Sequence, residues 1–63
     1  ASTTDRIALF IENNKDEVFS RQDYMRKFKF ISASTASRDL RHAVKAGLFT
    51  KRGEKRFTRY QIV

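Results

Sequence analysis

The chain has 63 residues, with 14 Lys or Arg against seven Asp or Glu, a formal charge of +7, no cysteine and one histidine. Without cysteine there is no disulfide framework or thiolate metal site, and a lone histidine cannot build a zinc centre, so no metal and no cofactor is expected. No apolar run approaches the ~20 residues that cross a bilayer, and the amino terminus lacks a basic-then-apolar leader; a cytoplasmic setting without a membrane partner is the expectation.

So short a chain makes one domain, residues 1–63, and buries only about 60% of the surface its unfolded form exposes. Six Phe and two Tyr supply the large buried area per residue that such a core needs. Ala1 and Ser2 read as a cloning remnant, and the chain as a domain excised from a larger protein. The charge is unevenly placed. Residues 1–37 carry six Lys or Arg against five acids, whereas residues 38–63 carry eight against two, Asp39 and Glu54. An excess confined to one half favours a polyanionic partner, most often nucleic acid.

Thr3 or Thr4 is placed to cap a first helix running to about Asn13, with Ile7, Phe10 and Ile11 on one face and Leu9 widening it. The cluster Asn13, Asn14, Lys15 and Asp16 is turn-prone and ends it. Glu17, Val18 and Phe19 form a brief extended segment before Ser20, which with Asp23 resembles a capping box and opens a second helix to about Phe28. Tyr24, Met25 and Phe28 make its inner stripe, and Arg21, Arg26 and Lys27 stay outside.

Lys29, Phe30 and Ile31 form a connection so short that the next helix must cross steeply, a helix-turn-helix, with Ile31 pinning the turn. The third helix, Ser32 to Gly47, has two faces. Ala36, Leu40, Ala43 and Val44 repeat at buried spacing, Ser32 caps the start, and Gly47 closes the end in a left-handed conformation. The other face carries Ser34, Thr35, Ser37, Arg38, Arg41, His42 and Lys45, opposed only by Asp39.

After Gly47 the pattern becomes extended: a strand over residues 48–52, a turn at Gly53, Glu54 and Lys55, and a second strand over residues 56–63. Thr58, Tyr60 and Ile62 share one face of it, and Phe57, Arg59 and Gln61 the other. The segment 17–19 is placed to add a third strand, because a lone hairpin is marginal in water. The fold class is therefore α+β, mainly α, a winged helix-turn-helix of three helices with a two- to three-stranded antiparallel sheet. Ile62, Tyr60, Leu48, Phe10, Tyr24 and Phe28 are expected to hold the third helix in place.

Specific residues strengthen this reading. The segment from Thr35 to Leu40, followed by Ala46, Gly47 and Leu48, resembles the recognition helix and wing start of bacterial winged-helix proteins. Phe19 to Met25, Gly47 to Phe49 and the late Thr58 to Tyr60 extend the likeness to the winged module at the carboxyl end of some Fic-family proteins and some helicase-like regulators. The chain departs from that pattern at Phe30, near a usual turn glycine, and at Ala43, where a larger aliphatic is common. The histidine and glycine-rich loop of Fic catalysis are missing, so any such enzyme lies outside this chain.

Double-stranded DNA is the expected partner. The amino-terminal residues of the third helix approach base edges first, which assigns Ser34, Thr35, Ser37 and Arg38 to that task, Arg38 by bidentate bonds to guanine. Arg41, His42 and Lys45 fall later and meet phosphate, while Lys51, Arg52, Lys55, Arg56 and Arg59 form a basic wing. Each has a plainer reading. The hydroxyl residues can serve as ordinary first-turn partners of free backbone donors, Arg38 can pair on the side of Asp39 or with Glu54, and His42 can be a solvent-facing residue. A second class of function is protein interaction, through a second subunit or a neighbouring domain, with an exposed ring at Phe30, Phe49 or Phe57 as docking patch. RNA binding ranks lower, because too few rings interleave the hairpin cations. Enzymatic activity is not expected, since no nucleophile with base, paired carboxylates or phosphate loop is visible.

Overall fold

The computed structural model describes residues 2–14 and 18–63. Among them the elements run α1 (Thr3–Asn13), β1 (Val18–Phe19), α2 (Arg21–Lys27), α3 (Ala33–Lys45), β2 (Phe49–Arg52), a 3-10 turn (Lys55–Phe57) and β3 (Arg59–Ile62). The three strands make one antiparallel sheet in the order β1-β3-β2, which is the winged helix-turn-helix architecture. The expected third strand is thus present at Val18–Phe19; the expected turn at Lys15 and Asp16, and Glu17 beside it, lie outside the described residues.

Helix starts are set by hydroxyl side chains. At α1 the cap is Ser2, not Thr3 or Thr4: its hydroxyl accepts the Asp5 N–H at 3.2 Å and its own N–H donates to the Asp5 carboxylate at 3.4 Å. Thr3 lies inside the helix and uses its hydroxyl elsewhere. Ser20 and Asp23 complete the expected capping box of α2, with the Ser20 N–H 3.0 Å from the Asp23 carboxylate. Ser32 caps α3 by accepting the Thr35 N–H at 3.1 Å.

Helix ends are equally specific. Asn14 is buried, and its amide donates to the Phe10 carbonyl at 3.0 Å, satisfying one of the free acceptors at the end of α1. At the end of α3, Gly47 takes φ +80°, its N–H donates to the Val44 carbonyl and the Leu48 N–H to that of Ala43, the paired bonds of a Schellman closure. The left-handed glycine turns the chain from helix into β2.

The core is aromatic, as expected. Phe10 lies at its centre, with ring centroids 4.5 Å from Phe19 and 5.1 Å from Tyr24. Phe49 meets Phe19 edge-on at 5.1 Å. From α3, Ala36, Leu40 and Ala43 are fully buried, and Ile31, Val44, Tyr60 and Ile62 pack around this cluster.

Three expectations about individual residues are corrected. Leu9 does not widen the inner face of α1, being half exposed. Leu48 is neither in a strand nor in the core; the register pairs Phe49 with Ile62, and Phe49 takes the inward position. The second wing strand begins at Arg59, because residues 55–57 close a 3-10 turn in which the Phe57 N–H donates to the Glu54 carbonyl at 3.0 Å and the Thr58 N–H to that of Lys55 at 3.1 Å.

Candidate nucleic-acid interface

The outer face of α3 is defined by what its inner face removes. Asp39, the only acid on the helix, is fully buried. Its carboxylate accepts from Arg6 Nε at 2.6 Å and Arg6 Nη2 at 3.1 Å, from the Thr3 hydroxyl at 2.7 Å and from the Tyr24 hydroxyl at 2.8 Å. Burial pushes this carboxyl up, but the bonds from Arg6, Thr3 and Tyr24 outweigh it and hold it below the usual carboxylate range. The same cluster raises the Arg6 guanidinium through its bond to Asp39, and burial, then the Asp39 acceptor, raises the Tyr24 phenol. A buried charge is tolerable only when its lone pairs are filled in this way. Asp39 is therefore not the surface opposition that its sequence position suggests, and it offers Arg38 no partner.

With Asp39 withdrawn, α3 presents Ser34, Arg38, Arg41, His42 and Lys45 as exposed side chains, with Thr35 and Ser37 half-buried. On the hairpin Lys51, Arg52, Lys55, Arg56 and Arg59 are exposed. None of these eight Lys and Arg forms an ion pair with a described carboxylate; the pairs among the described residues are Arg6 with Asp39 and Arg26 with Asp23. The alternative in which Arg38 pairs with Glu54 is likewise not realised. α3 packs directly on β2, the first strand of the hairpin.

Two of the hydroxyl residues have local duties. Thr35 belongs to the cap, with its Oγ1 3.1 Å from the Ser32 hydroxyl and its N–H on the same oxygen. Ser37 accepts from Arg21 Nη1 at 2.9 Å, which leaves its own proton free to donate outward. Arg21 was expected outside α2, and its contact with α3 extends the basic surface by one cation. Nothing in the sequence links residues 16 positions apart; the available signal was only that Arg21 stands at the exposed start of a helix that must cross α3.

The wing carries an electrostatic cost of its own. The register places Arg52 opposite Arg59, and like charges directly across two strands destabilise the pair. Arg59 relieves part of this by turning its Nη1 to the Thr58 carbonyl at 2.8 Å. At the tip, the Arg56 guanidinium lies over the Phe57 ring, 5.2 Å from its centroid.

Scans against protein-family models, curated proteins and solved structures returned no match to this chain. Among the described residues no group of His, Asp and Glu is arranged to hold a metal ion, and no helix is long and apolar enough to cross a membrane.

Proposed function

We propose that this domain binds double-stranded DNA through α3 and the hairpin wing, as the DNA-binding module of a bacterial transcriptional regulator or of a larger protein. The observation that carries the reading is the buried Asp39 cluster: by drawing the one acid of α3 onto Arg6, the fold leaves Arg38, Arg41 and Lys45 uncompensated beside a wing that adds five further cations. Surface cations without carboxylate partners repel one another, and a phosphate backbone relieves that repulsion while releasing counterions.

In this reading α3 occupies the major groove, about 12 Å wide, with Ser34, Ser37 and Arg38 towards base edges. Arg38 takes guanine O6 and N7. Thr35 helps hold the helix start in register. Arg41, His42 and Lys45 follow the phosphates, Arg21 joins them through its bond to Ser37, and the wing reaches an adjacent backbone or minor groove. The decisive variant is Arg38→Ala combined with Arg41→Ala, both exposed and remote from the core. It should lose most of the affinity for a mixed-sequence duplex at low salt while melting at the wild-type temperature. Unchanged affinity would remove α3 from the interface.

A second reading, docking of another protein, is supported by one specific feature. Phe30 is fully exposed, and with Leu9, Phe28 and Ile31 it lines a hollow of about 550 Å³ between α1 and the turn before α3. Self-association or partner binding there should persist in concentrated salt, where phosphate contacts fail. Sedimentation in that medium separates the two readings, because a monomer at high concentration counts against docking between copies.

A further inference from the structure

We infer that the tip of the wing is a stacking site for an unpaired nucleobase, with Phe57 as the platform, so that the domain prefers duplex DNA interrupted by a short single-stranded gap. The inference rests on the DNA-binding reading above and adds a ligand feature to it.

The tip is built to present the ring. Phe57 is 68% exposed, although a chain of this size gains most from burying its aromatics, and Phe49, nearby in the same hairpin, is buried. Its position is fixed by the backbone. Gly53 has φ +78°, and a Cβ built there would meet the Phe57 carbonyl oxygen at 2.6 Å, so the start of the tip lies against its end. Lys55 adopts φ +52° without being glycine, a conformation that costs of order 1 kcal/mol and persists only where the surroundings impose it. Two backbone bonds, Phe57 N–H to Glu54 and Thr58 N–H to Lys55, close the 3-10 turn. An outward ring on a pinned backbone binds with little ordering cost.

The surroundings select the ligand. Within residues 51–59 five cations, Lys51, Arg52, Lys55, Arg56 and Arg59, stand against a single acid, Glu54. Such a field suits phosphates and opposes a docking surface that is merely apolar. Arg56 covers one face of the Phe57 ring, and a base on the opposite face completes a cation, ring and base stack. An intact duplex keeps its bases stacked on one another, and opening a step costs a few kcal/mol; a gap supplies an unstacked base without that cost.

The test compares two probes with the wild-type domain and three variants at one salt concentration. The probes are a blunt duplex of about 20 base pairs and the same duplex with a gap of about three nucleotides, one of them 2-aminopurine. Wild type should bind the gapped duplex on the order of tenfold more tightly and quench the 2-aminopurine. Phe57→Ala should bind the two probes equally and leave the fluorescence unchanged, while Phe57→Tyr and Phe57→Trp keep both effects; all three substitutions are at an exposed position and leave the core intact. Equal wild-type affinities for the two probes, or a Phe57→Ala loss that is the same on both, overturns the stacking site while leaving duplex binding in place. Failure of wild type to bind either probe overturns both readings.

Discussion

Arg6 and Asp39 stand 33 residues apart and meet through a 2.6 Å bond between Nε and Oδ2, fastening the first turn of α1 to the middle of α3. Thr3 and Tyr24 fill the remaining sites on the carboxylate, so three helices converge on one buried charge. The geometry ties α3, the helix proposed to bind DNA, to the rest of the domain by a polar contact, where its apolar stripe, partly alanine, offers limited area.

Removing one partner of this cluster should be costly. Asp39→Ala takes the carboxylate from the part-buried Arg6, and Arg6→Ala leaves the fully buried Asp39 without its cation; each should cost about 3–5 kcal/mol. Urea unfolding followed by circular dichroism measures this. A change below ~1 kcal/mol for either variant means that the contact contributes no more than a surface pair.

This cluster and the capping box of α2 give stability a dependence on pH at both ends. Asp39 is held below the ordinary carboxylate value in the folded state, and Asp23 is too, chiefly by the backbone N–H of Ser20. Their contributions are present above the unfolded value of about 4 and are lost as pH falls through the folded values. Tyr24 is raised, so its contribution is present below the unfolded value of about 10 and is lost as pH rises beyond it. Melting temperatures should form a plateau at intermediate pH and fall on either side, and Tyr24→Phe should soften the alkaline fall. A melting temperature that holds constant down to about pH 2 contradicts the acid limb.

The two glycines should separate by mechanism. Both have positive φ, but a Cβ at Gly47 meets nothing within 4 Å, whereas one at Gly53 collides with backbone. Gly47→Ala should therefore cost only the conformational strain, about 1–2 kcal/mol. Gly53→Ala must also displace the wing tip, so it should alter the amide resonances of residues 53–58. Equal, local effects of the two substitutions on an NMR spectrum contradict this distinction.

Burial predicts a sharp contrast between adjacent residues. Phe49→Ala empties a site in the aromatic cluster and should cost about 3–5 kcal/mol, while Leu48→Ala, at a 41% exposed position, should cost less than ~1 kcal/mol. Comparable losses in a denaturant series contradict the inward register of Phe49.

That contrast marks where sequence reasoning reaches its limit. Helix order, the third strand and two of the three helix starts are local or periodic signals: Ser20 with Asp23, Ser32 before α3, and Gly47 after the last basic turn were readable, whereas Ser2 and not a neighbouring threonine caps α1. Which of Leu48 and Phe49 turns inward depends on the pairing of Phe49 with Ile62, a partner 13 positions away, and the single-residue register exchanges the two faces. Asp39 did leave a trace. It stands three residues after Ala36 and four before Ala43, on the buried stripe, and an acid at such a position implies a buried partner; that the partner is Arg6 is a long-range fact. The 3-10 turn escaped because Lys55 takes a left-handed conformation that its side chain does not announce. Of the candidate interface, the charges were legible and their freedom from carboxylate partners was not.

The proposed binding of duplex DNA by α3 and the wing through phosphate is tested most directly by titrating the domain on a mixed-sequence duplex across a salt series. Clear binding is expected at about 50 mM salt, with a steep linear fall of log affinity with log salt and a slope shallower by about 1 when Arg41, a phosphate contact, is alanine. Binding no tighter than about millimolar at low salt, or an affinity indifferent to salt, contradicts it.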